Sequence, residues 1–139
     1  MTTTKSPRQI FVNLPVRDLE RSMEFFSKLG FEFNRQFTDE KCACMVISET
    51  SFVMLLVDTF FKTFTEREIA DGTMKTEAIL ALSCASKAEV DGLAERALAG
   101  GGKEVMPPKD HGFMYYRTFY DLDGHHWEML WMDSKHAEK

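Results

Sequence analysis

The chain has 139 residues, 44% of them apolar and 28% charged, and a formal net charge of −5 without any basic run. That size and balance suit one globular domain that buries a core without staples. The charge argues against nucleic acid, whose phosphates need lysine and arginine to neutralise them, and no apolar stretch reaches the roughly 18 residues that span a bilayer.

The opening from Met1 to Arg8 has no apolar stretch resembling a secretory signal, so the expected compartment is the cytoplasm. Gln9 to Leu14 then reads as a strand ended by Pro15. Asp18 is an N-cap, Leu19, Ser22, Met23, Phe26 and Leu29 recur at helical spacing, and Gly30 supplies the stop. Phe31, Phe33, Arg35 and Phe37 alternate, which predicts a strand over 31–37. Strands follow over Cys42–Ile47 and Phe52–Val57, joined by the turn Ser48 to Ser51. Asp58 to Thr76 lacks a clean period and reads as a connector with a short helix near Thr65 to Ala70.

The pattern then restarts. Glu77–Cys84 reads as a strand, and Ser86-Lys87-Ala88-Glu89 as a capping box. It opens a helix with Val90, Leu93, Ala94, Ala97 and Leu98 on its apolar face, stopped at Gly100-Gly101-Gly102. Lys103–Met106 and Phe113–Tyr120 read as strands, Asp121 to Gly124 as a turn, and His125–Met132 as the last strand. The order strand, helix, three strands therefore occurs twice with almost no residue identity. Module one covers about 8–58, the connector about 59–76, module two about 77–132, and a polar tail 133–139.

The strands 42–47 and 52–57 are apolar on both faces and need cover on both. Two helices can cover the outside of two four-stranded modules. The inner side must meet a partner or a ligand, as a curved mixed sheet shaped into a cup would. The three cysteines, Cys42, Cys44 and Cys84, are an odd number without C-x-x-C spacing, and read as small buried hydrophobes rather than disulfide, zinc or nucleophile residues.

Phe11-Val12-Asn13-Leu14-Pro15-Val16-Arg17-Asp18-Leu19-Glu20-Arg21-Ser22, with Phe25-Phe26 and Leu29-Gly30-Phe31, resembles the opening of the glyoxalase/bleomycin-resistance/extradiol-dioxygenase group, the vicinal oxygen chelate superfamily. Asp121-Leu122-Asp123-Gly124-His125-His126-Trp127-Glu128 resembles its closing strand, and the Gly100 to Gly102 stop matches its second module. The resemblance implies an α+β, glyoxalase-like fold: two βαβββ modules whose curved sheet forms the cup, one helix outside each. It implies a homodimer. It also implies four metal-ligand positions, at Phe11, Met54, Ile79 and Glu128, with Glu77 in reach if the third slips. Only Glu128 keeps a ligand-capable side chain, and an ion of that kind needs several N or O ligands.

Other side chains offer different chemistry. Asn13 shares a face with Phe11 and carries both a donor and an acceptor, which serve either a ligand or a neighbouring loop. His126, Glu128 and Leu130 share a face. There Glu128 is either a general base in an apolar setting or the ion-pair partner of Arg117. His111, Tyr115 and Arg117 are polar groups that converge at a cup mouth or pack outward as surface residues. His125 and His126 point to opposite faces, and His136 falls in the tail. The first expectation is metal-independent binding of a small, largely apolar or aromatic molecule, with no cofactor and no membrane or nucleic-acid partner. The alternative is a lyase, isomerase or dioxygenase with an altered site that uses Glu128 as base or as ligand to a divalent metal.

Overall fold

The computed structural model describes residues 7–137, which form two compact units that part between Ile69 and Ala70. Each unit repeats one topology.

In the first unit, strand β1 (Ile10–Val16) leads to helix α1 (Leu19–Leu29) and strands β2 (Glu32–Asn34), β3 (Cys42–Val46) and β4 (Ser51–Val57). The sheet order is β1-β4-β3-β2, with β1 parallel to β4 and the other pairs antiparallel. Asp18 caps α1 by accepting from the Arg21 amide at 3.2 Å. Gly30 ends it in the left-handed region (φ 105°), where a side chain would be strained. Leu19, Phe25, Phe26 and Leu29 of the helix are buried, as are Leu14, Val16, Ala43, Met45, Val53 and Leu55 on one sheet face. Cys44 and Leu56 on the other face are buried as well, so β3 and β4 do carry cover on both sides.

In the second unit, β5 (Ile79–Ser83), helix α3 (Lys87–Ala99), β6 (Lys103–Glu104), β7 (Lys109–Asp110), β8 (Met114–Tyr120) and β9 (His126–Met132) follow in turn. The order is β5-β9-β8-β6, with β5 parallel to β9 and β7 also paired with β8. Ser86 caps α3 by accepting from the Glu89 amide at 3.1 Å, and Glu89 Oε1 accepts from the Ala85 amide at 2.6 Å. Val90, Ala94 and Ala97 are buried, with Phe119, Trp127 and Met129 wholly enclosed. The two βαβββ modules expected from the sequence are therefore present, each with one long helix and a mixed sheet.

Several boundaries differ from expectation. β1 continues through Pro15 to Val16, because it is an edge strand and Pro15 owes no donor to the ladder. The strand expected over 31–37 stops at Asn34. Its side chain accepts from the Gln36 amide at 3.0 Å and its carbonyl from the Thr38 hydroxyl at 2.8 Å, which turns Arg35–Phe37 into a 3₁₀ turn. The connector helix lies earlier than expected, as α2 (Asp58–Phe61) and a 3₁₀ turn over Lys62–Phe64, while 65–70 is irregular. The strand expected over 103–106 ends at Glu104, and β7 was not foreseen. The tail holds a short helix, α4 (Ser134–Ala137), within which His136 falls. Among the described residues no helix is long and apolar enough to cross a membrane.

Candidate functional site

Strand register decides which side chains share a face. In the first unit Asn13 pairs with Met54 and Met54 with Cys44, while Phe11 pairs with Phe52. Phe11, Asn13, Phe52, Met54 and Leu56 thus stand on the face away from the buried Val53–Leu55 side. Phe11 and Phe52 stack at 4.9 Å between ring centroids and 13° between planes. The chain leaving β4 folds back over this face. Asn13, Leu56, Phe61, Phe64 and Thr65 line a pocket of about 430 Å³. That volume lies in the roughly 300–1,000 Å³ range of small-molecule sites.

The amide of Asn13 is part-anchored: its nitrogen donates to the Phe11 carbonyl at 3.2 Å. Phe60 meets Phe64 edge-on at 5.1 Å, and Lys41 stands 5.4 Å from the Phe60 ring. This aromatic segment holds Phe64 at the pocket rim although its ring is 69% exposed.

In the second unit Ile79 pairs with His126, and Glu128 lies opposite both Ala81 and Thr118. Ile79, His126, Glu128, Thr118 and Tyr120 therefore share one face, with His126 edge-on to Tyr120 at 5.5 Å. Glu128 is half-buried and His126 buried. Thr118 is buried too, and its hydroxyl has no hydrogen-bond partner in the structure.

Tyr115 and Arg117 are on the opposite face, against α3. Arg117 pairs with Met129, not with Glu128. Its guanidinium reaches Asp91 at 3.2 Å, Glu95 at 2.7 Å and Glu104 at 3.6 Å. The Tyr115 hydroxyl donates to Asp91 at 2.5 Å, a bond that pushes the phenol up to about 12, with burial adding to it. This rules out one reading in each of two pairs that the sequence left open. Arg117 does not neutralise Glu128, and Tyr115 and Arg117 do not converge on the face that carries it. His111 is exposed at the end of β7, beside Phe113 and Tyr116 at 6.4 and 6.1 Å between centroids.

The cysteines are free thiols; Cys44 is buried as expected, whereas Cys42 and Cys84 are only half-buried, which corrects the expectation for those two. Burial, with Glu89 nearby, pushes Cys84 up to about 11, and burial raises Cys42 and Cys44. At that value the Cys84 thiol stays protonated at neutral pH and is no nucleophile.

Leu56, Phe61, Phe64, Thr65 and Thr118 were missed from the sequence. Phe60, Phe61 and Phe64 crowd a segment without period, which is the signal that was present: aromatics placed where no helix or strand face needs them.

Comparison with known proteins agrees with this architecture. Residues 8–48 match a family model described as bleomycin resistance protein-like N-terminal. A hypothetical protein from S. aureus superposes with a TM-score of 0.77 at 29% identity, covering 91% of this chain and 95% of that one. A glyoxalase/bleomycin resistance protein/dioxygenase family enzyme from Burkholderia phytofirmans does so at 0.72 and 16% identity, covering 88% and 96%. The fosfomycin resistance protein FosX of Mesorhizobium loti gives 0.66 and 17%, covering 99% and 100%. Residues 8–48 therefore resemble the bleomycin-resistance proteins by sequence, and the chain as a whole shares the fold of solved glyoxalase/bleomycin resistance/dioxygenase proteins. No curated protein matches the chain by sequence.

The resemblance to that superfamily implies a divalent metal, and the residues at the four implied positions, Phe11, Met54, Ile79 and Glu128, do not fit one. Phe11, Met54 and Ile79 offer no hard donor, and Phe11 is engaged in its stack on Phe52. Among the described residues no group of three or more His, Cys, Asp or Glu is placed to hold an ion.

Proposed function

We propose that this protein binds a small, largely apolar or aromatic molecule without a metal ion, in the manner the name bleomycin resistance implies, as a cytoplasmic homodimer. The observation that carries this reading is the pocket on the first unit, where one amide and one hydroxyl sit among Leu56, Phe61 and Phe64. Apolar walls with a few placed polar groups are the usual make-up of a small-molecule site. The resistance names of the matching family model and of one fold neighbour support a small-molecule ligand. Among the described residues no set of three or more His, Cys, Asp or Glu is placed to hold an ion, which supports binding over metal-assisted chemistry.

The test is a thermal-shift screen of aromatic compounds, with bleomycin and fosfomycin included, on protein held in EDTA. A ligand at one hundred times its Kd stabilises by about 2.7 kcal/mol. At least one compound is expected to raise the melting temperature of the native chain and to lose that effect in Phe61→Ala. A screen in which every shift requires added metal overturns the reading.

A further inference from the structure

None of the five side chains lining the first unit's pocket is charged. We propose that this pocket selects an uncharged, ring-bearing molecule with one hydrogen-bonding head, read by Asn13 and Thr65, while Leu56, Phe61 and Phe64 hold the rings. The inference rests on the small-molecule reading above and narrows it to a class of ligand.

The polar inventory of the pocket leads there. Asn13 spends one amide hydrogen on the Phe11 carbonyl, which leaves its Oδ1 and second hydrogen for a ligand. Thr65 Oγ1 accepts from the Arg67 amide at 3.2 Å, so its own proton remains to donate. The two residues therefore offer both donors and acceptors, which suits an amide, a carbinol or a phenol.

No cationic side chain is among the residues that line the pocket. Lys62 Nζ donates to the Arg67 carbonyl at 2.5 Å, and Lys41 stands over Phe60. An ionic head in this pocket would lose hydration without a charged group in the lining to answer it, a larger cost than for a neutral polar head. The rings have matching surface: Phe64 is fixed edge-on by Phe60 and presents an aromatic face that the protein's own core does not cover.

Four probes of one shape separate the possibilities: biphenyl-4-carboxamide, 4-methylbiphenyl, biphenyl-4-carboxylate and biphenyl-4-methylammonium, titrated by fluorescence at pH 7. The carboxamide is expected to bind at least about tenfold more tightly than either ion, the difference an unanswered charge commands. Asn13→Leu is expected to weaken the carboxamide about tenfold and 4-methylbiphenyl less than about twofold, as the loss of one hydrogen bond requires. Thr65→Val serves the same purpose should Asn13→Leu fold poorly. An ion binding as tightly as the carboxamide overturns the inference, and so do variants that weaken all four probes alike. Binding by none of the four removes the pocket reading beneath it.

Discussion

Arg117 Nη1 lies 2.7 Å from Glu95 Oε2, a bond that ties strand β8 to helix α3 and commits the guanidinium to the face opposite Glu128. Asp91 and Glu104 complete its shell. The carboxylates are substantially exposed and only the arginine is buried, so screening by solvent keeps the pairs modest. Arg117→Ala should cost about 1–2 kcal/mol in urea unfolding, from lost packing and pairing together. Affinity for a pocket ligand should not change. A variant as stable as the native chain would show that the network holds nothing.

Tyr115 gives a prediction in pH. The hydrogen bond to Asp91 raises its phenol to about 12, against an ordinary value near 10. A raised folded-state value means that the neutral phenol is the stabilising form. That contribution is whole below pH 10 and disappears as pH rises through about 12. The difference in absorbance titration between native protein and Tyr115→Phe should therefore have its midpoint near 12. A midpoint near 10 would contradict the bond.

Gly124 closes the turn between β8 and β9 at φ 84°, with its α-carbon against the backbone of Gly72. An added Cβ would strike the Gly72 carbonyl and would sit in a conformation that side chains avoid. Gly124→Ala should lose at least about 2 kcal/mol by denaturant unfolding, more than Gly112→Ala, whose φ is also positive but whose surroundings are open. Equal losses would point to backbone strain alone.

Much of this was legible in the sequence because it rests on local chemistry. Asp18, Gly30 and Ser86 announce helix ends through groups within four residues of each other, and the structure keeps all three. The face shared by His126 and Glu128 follows from strand alternation. What alternation within one strand does not give is the match between strands. Tyr120 opposite His126 puts Arg117 beside Met129 and Thr118 beside Glu128, so the Arg117–Glu128 pair, one of the two readings of Glu128, fails by one residue of register. The turn at Asp121 held that information. Asp121 Oδ1 accepts from the amides of Asp123 and His125, and Oδ2 from the Trp127 indole at 2.9 Å, which fixes where β9 begins.

The pocket was only partly legible. Asn13 stood out as an amide in a strand, whereas Phe61, Phe64 and Thr65 belong to a segment whose fold depends on where β4 releases the chain. Alternation marked Phe31–Phe37 as a strand, and a single side-chain acceptor at Asn34 overrode it. Both misses have one cause: periodicity describes regular backbone and is silent about the points at which side chains interrupt it.

The central claim is that the pocket works without an ion, and one experiment addresses it directly. Protein purified without chelator is analysed for metals, then titrated with biphenyl-4-carboxamide before and after exhaustive dialysis against EDTA, alongside Glu128→Gln. The account predicts no stoichiometric zinc, nickel, iron or manganese, and a Kd unchanged within about twofold by chelator or by Glu128→Gln. An ion present at one per chain and lost in Glu128→Gln, with binding that disappears alongside it, would contradict the account.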